Sequence, residues 1–90
     1  MMTVRDNTEA SRFEIDIDGQ IAHLDYQRNG NELSIVHTEV PSALRRRGLG
    51  TLLAKSAIDA ARAQGLRLKV LCPFVRDYRR KHPEAQKESE

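Results

Sequence analysis

Residues 39–50 run Glu39-Val40-Pro41-Ser42-Ala43-Leu44-Arg45-Arg46-Arg47-Gly48-Leu49-Gly50 and open directly into an apolar-periodic segment. A strand-ending proline, a basic loop and two closely spaced glycines leave bare backbone N–H groups at the positive end of a helix, which suits an anionic phosphate. Gly48 and Gly50 let the chain turn tightly and approach a ligand with no Cβ in the way. The lysine of the nucleotide-binding P-loop is missing, and the longer Gly-x-Gly-x-x-Gly pattern fails because residue 53 is Leu. On the loop alone, an anion site and a tight strand–helix connection with solvated arginines fit equally well. The second chemical feature is Cys72-Pro73. It sets a thiol at a strand end, beside a helix terminus and Arg76, a setting in which thiols become nucleophilic. The same thiol continues the parity of Leu66, Leu68 and Val70, as a buried cysteine acting as a small hydrophobe would.

These residues must be held by a small fold. Ninety residues make one domain, and such a chain buries only about 60–65% of its unfolded surface. A hydrophobic fraction of 39% with 31% charged residues fits a globular protein rather than a disordered one. No apolar run approaches the roughly 20 residues needed to span a membrane, and no signal-peptide pattern opens the chain. The single cysteine leaves no internal disulfide, so a cytoplasmic setting is expected. The net charge of +2 is too small to argue for nucleic acid.

Residues 1–11 are polar and lack a period, and are expected to be a loose arm. Phe13, Ile15 and Ile17 alternate with Glu14 and Asp16, which predicts a half-buried strand. Asp18-Gly19 supplies a hairpin turn, a second strand runs over about 21–28, Asn29-Gly30-Asn31 turns again, and a third strand covers 33–40. Leu49, Leu52, Leu53, Ala57, Ala60 and Ala61 then recur at helical spacing, with Gly65 at the expected C-terminal cap. A fourth strand follows through Leu66, Leu68 and Val70, and Pro73 starts a short helix carrying Phe74, Val75 and Tyr78. Pro83 stops that helix, leaving a charged tail. The fold class is α+β with the order β-β-β-α-β-α: a mostly antiparallel sheet whose last two strands run parallel through a right-handed crossover. The domain is expected over residues 12–84, with 1–11 and 85–90 as flexible tails.

Arg45-x-x-Gly48-x-Gly50, preceded by Val40-Pro41 and followed by Leu52-Leu53, resembles the acyl-CoA loop of the GNAT superfamily of N-acyltransferases. The element order is also similar to the second part of that fold. With Leu71-Cys72-Pro73-Phe74-Val75 and His82-Pro83-Glu84 added, the chain looks like a small, single-domain GNAT-like family over roughly residues 12–84. Most superfamily members carry helices between their first two strands that wall the acceptor site. Here only Asp18-Gly19 stands there, so the acceptor side is expected to be open, or completed by another chain.

The resemblance implies acetyl-CoA as cosubstrate and an amine as acceptor. It implies that Val40, Arg45, Arg46, Arg47, Gly48, Leu49, Gly50 and Thr51 hold the CoA, with His82 a minor contact. Amide acyl transfer needs a neutral amine, a polarised carbonyl and a stabilised thiolate. Glu39 is the carboxylate placed to take the ammonium proton, and His37, two residues away on the same face, can relay it or hydrogen-bond the carboxylate. A solubilising edge-strand charge and a strand histidine with local partners explain the same two residues. Cys72 is either a nucleophile taking the acyl group or a neighbour of the leaving sulfur. Tyr78 is either the acid that protonates the thiolate or a packing residue. His23, His37 and His82 have no metal-ligand spacing, so no metal is expected.

Three function classes remain in order. The first is an acetyl-CoA-dependent N-acetyltransferase, monomeric or homodimeric. The second is a CoA-binding sensor module without turnover. The third is nucleic-acid binding through Arg45–Arg47 and the basic stretch 76–81, which ranks last because no aromatic platform accompanies the charge.

Overall fold

The structure, a computed structural model, describes residues 3–82. Pro83 and the expected tail beyond it lie outside the described residues. Among the described residues five strands form one sheet in the order β1-β2-β3-β4-β5: β1 Arg5–Asn7, β2 Arg12–Ile17, β3 Gln20–Asn29, β4 Glu32–Glu39 and β5 Arg67–Val70. Helix α1, Leu49–Ala63, joins β4 to β5, which pair in parallel, and α2, Pro73–Lys81, follows β5. All other pairings are antiparallel.

The core lies between the sheet and α1. Phe13 and Ile15 of β2 pair with Leu24 and Ala22 of β3, and all four are buried on the face that α1 covers. Leu53, Ala54, Ala57, Ile58 and Ala61 form the buried stripe of α1, and the alanines let the helix lie close to the strands. Val75 of α2 is fully buried, and α2 packs on both α1 and the β4–β5 end of the sheet. The β2–β3 hairpin turns through Asp18 and Gly19, both at positive φ, with Ile17 opposite Gln20. A two-residue turn leaves no room for a helix at that point.

Two features differ from the sequence expectation. The first lies in residues 1–11, expected as a loose arm, where Arg5–Asn7 forms an edge strand paired with β2 through Arg5↔Glu14, Asp6↔Phe13 and Asn7↔Arg12. Its anchor is Glu14, which alternation placed on the solvent face but which is only 3% exposed. The carboxylate accepts from Arg5, from Arg12 Nε at 2.6 Å and from Asn7 Nδ2 at 3.1 Å. Tyr26 also donates to Asp6 at 2.7 Å. A short polar strand thus pairs because it satisfies a buried charge, which periodicity does not report.

The second difference is inside β4. Tyr26 pairs with Ile35 and Asp25 with His37, so Val36 has no partner and forms a bulge. One extra residue reverses the side-chain parity of everything after it. Leu33 and Ile35 are buried before the bulge; beyond it Thr38, opposite Leu24, faces the helices, while His37 and Glu39 face away from them.

Candidate active site

The parallel ladder between β4 and β5 runs from Glu32↔Arg67 to Ile35↔Val70, and its last bond is Leu71 N–H to the Ile35 carbonyl at 2.8 Å. β4 continues to Glu39, still paired with β3, while the chain after Leu71 turns into α2. The two strands therefore part company after the bulge. Among the described residues, the backbone of residues 36–39 has no strand partner on its β5 side.

At the mouth of this split stands the amino end of α1. Pro41 starts a single 3₁₀ turn, Ser42–Leu44, closed by Leu44 N–H to the Pro41 carbonyl at 2.8 Å, and buried Leu44 pins the loop to the core. Arg46 takes a positive φ of 71°, and Gly48, the cap residue, takes φ 77°. No side chain among the described residues caps the helix. Leu52 N–H bonds the Gly48 carbonyl at 3.0 Å, so the N–H groups of Leu49, Gly50 and Thr51 precede the first intrahelical bond and project from the helix end. Arg45 bends back, its Nε donating to the Val40 carbonyl at 3.2 Å.

A cleft of about 380 Å³ occupies this place, lined by Thr38, Glu39, Val40, Leu44, Arg45, Arg46, Gly48, Leu49, Gly50, Thr51 and Phe74. Most of the expected binding residues line it together. Arg47 is exposed outside the lining. Glu39 lines the cleft and is reached from outside by His37, Nε2 to Oε1 3.1 Å, with both side chains about half exposed.

The other expected residues stand elsewhere. Cys72 is buried, 4% exposed, and lies behind the lining, its Sγ 3.5 Å from the Thr38 hydroxyl. Tyr78 packs against the core and stacks on His82, with ring centroids 4.2 Å apart, and His82 Nδ1 lies 2.8 Å from the Tyr78 carbonyl. Neither ring lines the cleft.

Three lining residues escaped the sequence reading. Thr38 was hidden by the bulge, and Leu44 by the 3₁₀ turn. Phe74 had a signal: it belongs to the Cys-Pro-Phe run. It is 45% exposed, and its ring lies over Gly50 so closely that a Cβ there would sit 2.8 Å from its Cζ.

A family model described as GCN5-related N-acetyl-transferase matches residues 12–88, and the chain belongs to that family. In sequence it is similar to Protein NATD1 of Mus musculus, 30% identical over 83 residues that cover 89% of this chain and 76% of that one. It is 37% identical to Protein NATD1 of Bos taurus over 51 residues, 57% of this chain and 45% of the relative, so that match spans about half of the relative's length. Its fold is similar to the solution structure of a GCN5-like protein from Staphylococcus aureus, with a TM-score of 0.72 and 26% identity over 93% of this chain and 83% of that one.

Proposed function

We propose that the protein transfers an acetyl group from acetyl-CoA to an amine. The observation that carries this reading is the uncapped amino end of α1 opening into the cleft where β4 and β5 separate. Three outward N–H groups and the positive helix end fit a pyrophosphate, and Arg45 and Arg46 add charge at the same rim. Arg47, exposed just beyond it, is free to meet a further phosphate. The unpaired backbone of residues 36–39 offers donors and acceptors to an extended amide-bearing arm. Acetyl-CoA supplies the activated thioester.

Glu39 takes the proton that makes the amine nucleophilic, and His37, bonded to its Oε1, passes that proton to water. Cys72 is not given a covalent role, because it is buried and separated from the cleft by Thr38. Cys72→Ser is therefore expected to retain turnover and to show no acetylated protein by intact mass. A Ser variant that binds CoA but no longer turns over would reinstate an acyl-cysteine. Tyr78 does not line the cleft, so the thiolate's proton is not routed through it. The single cysteine accords with a cytoplasmic setting.

The test is thermal unfolding with CoA or acetyl-CoA up to millimolar concentration, followed by thiol release with a panel of amines. Ligand at 100 times its dissociation constant should stabilise the fold by about 2.7 kcal/mol. An unmoved transition would sink the proposal. A second reading, a CoA-binding module without turnover, has one observation in its favour: the two-residue β2–β3 turn adds nothing to wall an acceptor site. That reading requires the thermal shift without thiol release.

A further inference from the structure

The face of the sheet turned away from α1 carries a polar array that ends at Glu39. Its two rows follow from the strand registers. Arg5, Glu14, His23 and Glu39 stand side by side across β1 to β4, and Asn7, Arg12, Asp25 and His37 form the next row. At the β1–β2 end the charges close on themselves, with Glu14 satisfied by Arg5, Arg12 and Asn7. At the β3–β4 end, two imidazole–carboxylate pairs stand together. His23 Nδ1 lies 2.9 Å from Asp25 Oδ1, and His37 Nε2 lies 3.1 Å from Glu39 Oε1. Each imidazole also has the other pair's carboxylate directly across the strands, His23 opposite Glu39 and His37 opposite Asp25. Opposed residues of an antiparallel pair hold their Cβ atoms about 4.5–5.5 Å apart.

We propose that His23 and Asp25 are positioning residues for Glu39, forming with His37 one four-membered unit that carries the amine's proton away. This rests on the reading of Glu39 as the proton acceptor. The bulge at Val36 makes the arrangement possible, since without it His37 and Glu39 would turn toward the helices. Asp25 accepts the Nδ1 proton of His23, which fixes that ring's tautomer and leaves Nε2 as the basic nitrogen. The His23 side chain is 20% exposed against 55% for His37, so its ring is the better held of the two. The groups facing His23 are Glu14 from β2, already taken up by its own donors, Glu39 and His37 from β4, and Asp25 on its own strand. Arg12, opposite Asp25, gives its Nε to Glu14. The proton moves from the ammonium to the Glu39 carboxylate, then to an imidazole nitrogen, then to water. Asp25 offsets the charge while the imidazole holds it, and no other bond changes in this relay.

The experiment is acetyl transfer by the whole chain to an amine found active with the parent, comparing parent, His23→Gln, His23→Ala and Asp25→Asn. Acceptor kcat/KM is followed from pH 6 to 9, together with the KM for acetyl-CoA and the CoA-induced thermal shift. The expected result is a fall in kcat of roughly tenfold, below the ~10²–10⁴-fold of a direct acid or base because these residues act through Glu39. The acid limb of the profile should move, the acetyl-CoA KM should hold, and added imidazole should restore part of the rate to His23→Ala but none to Asp25→Asn. Folding is checked by the unliganded melting temperature, and His23→Gln keeps the volume and a hydrogen-bonding group if the alanine variant unfolds. Profiles for His23→Gln and Asp25→Asn that superimpose on the parent's would overturn the inference while leaving the proposed function standing. A parent that CoA does not stabilise, or that releases no thiol with any amine, overturns the proposed function and the inference with it.

Discussion

Glu14 accepts from Arg5, Arg12 and Asn7, and these donors hold its carboxyl at about 2, well below its ordinary value of 4.5, against the opposing effect of burial. A depressed carboxylate stabilises the fold above its unfolded value and stops doing so as pH falls through the folded one. Urea midpoints should therefore drop between about pH 5 and pH 2, and Glu14→Gln should be less stable at pH 7 with a flatter profile in that window. An unchanged profile would show that the cluster does not form. Tyr26 works in the opposite direction. Burial, then its bond to Asp6, pushes the phenol from 10 up to about 12, so its contribution is present below pH 10 and lost as pH rises through 12. At the loop, Gly48 at φ 77° has open space around a would-be Cβ, so Gly48→Ala costs backbone strain alone, about 1–2 kcal/mol. The Arg-x-x-Gly-x-Gly motif made this residue legible, because the need for glycine is local. Nothing in the alternation around Glu14 announced its burial, because its donors come partly from another strand.

At the scale of elements, the contact between α1 and α2 decides what Gly50 does. Its neighbour is the Phe74 ring, which stands at the start of α2 and lines the cleft. Gly50→Val should displace that ring and weaken CoA binding. Phe74→Ala added to Gly50→Val should recover part of the loss, whereas two independent sites would give additive losses. Isothermal titration of the four proteins with CoA supplies the cycle, and strict additivity would show that Gly50 acts on the ligand alone. The helix, the hairpin turn and the β4-α1-β5 crossover were all readable from period and turn residues. The bulge was not. A single unpaired Val36 leaves the local sequence looking like continuous strand, yet it sends Thr38 inward to Cys72 and turns His37 and Glu39 outward.

For the whole molecule, the edge strand β1 closes the sheet opposite the cleft, so its removal tests whether the domain begins at residue 12 or earlier. Deleting residues 1–8 strips the donors Arg5 and Asn7 from Glu14 and the Asp6 acceptor from Tyr26. The cost should be about 1–3 kcal/mol, the range for a buried polar group left without its partner. A truncated chain with an unchanged denaturation midpoint would restore the view of a loose arm. The helices, the hairpins, the parallel crossover and the glycine entry to α1 were legible along the chain, because each depends on neighbouring residues through backbone conformation and side-chain period. Which side chains meet follows from packing alone: Phe74 over Gly50, Thr38 against Cys72, Tyr78 stacked on His82, and His23 and Asp25 beside His37 and Glu39. Those contacts depend on strand register, one bulge and the packing of α2 on α1, and register is a relation between distant segments that no local pattern encodes.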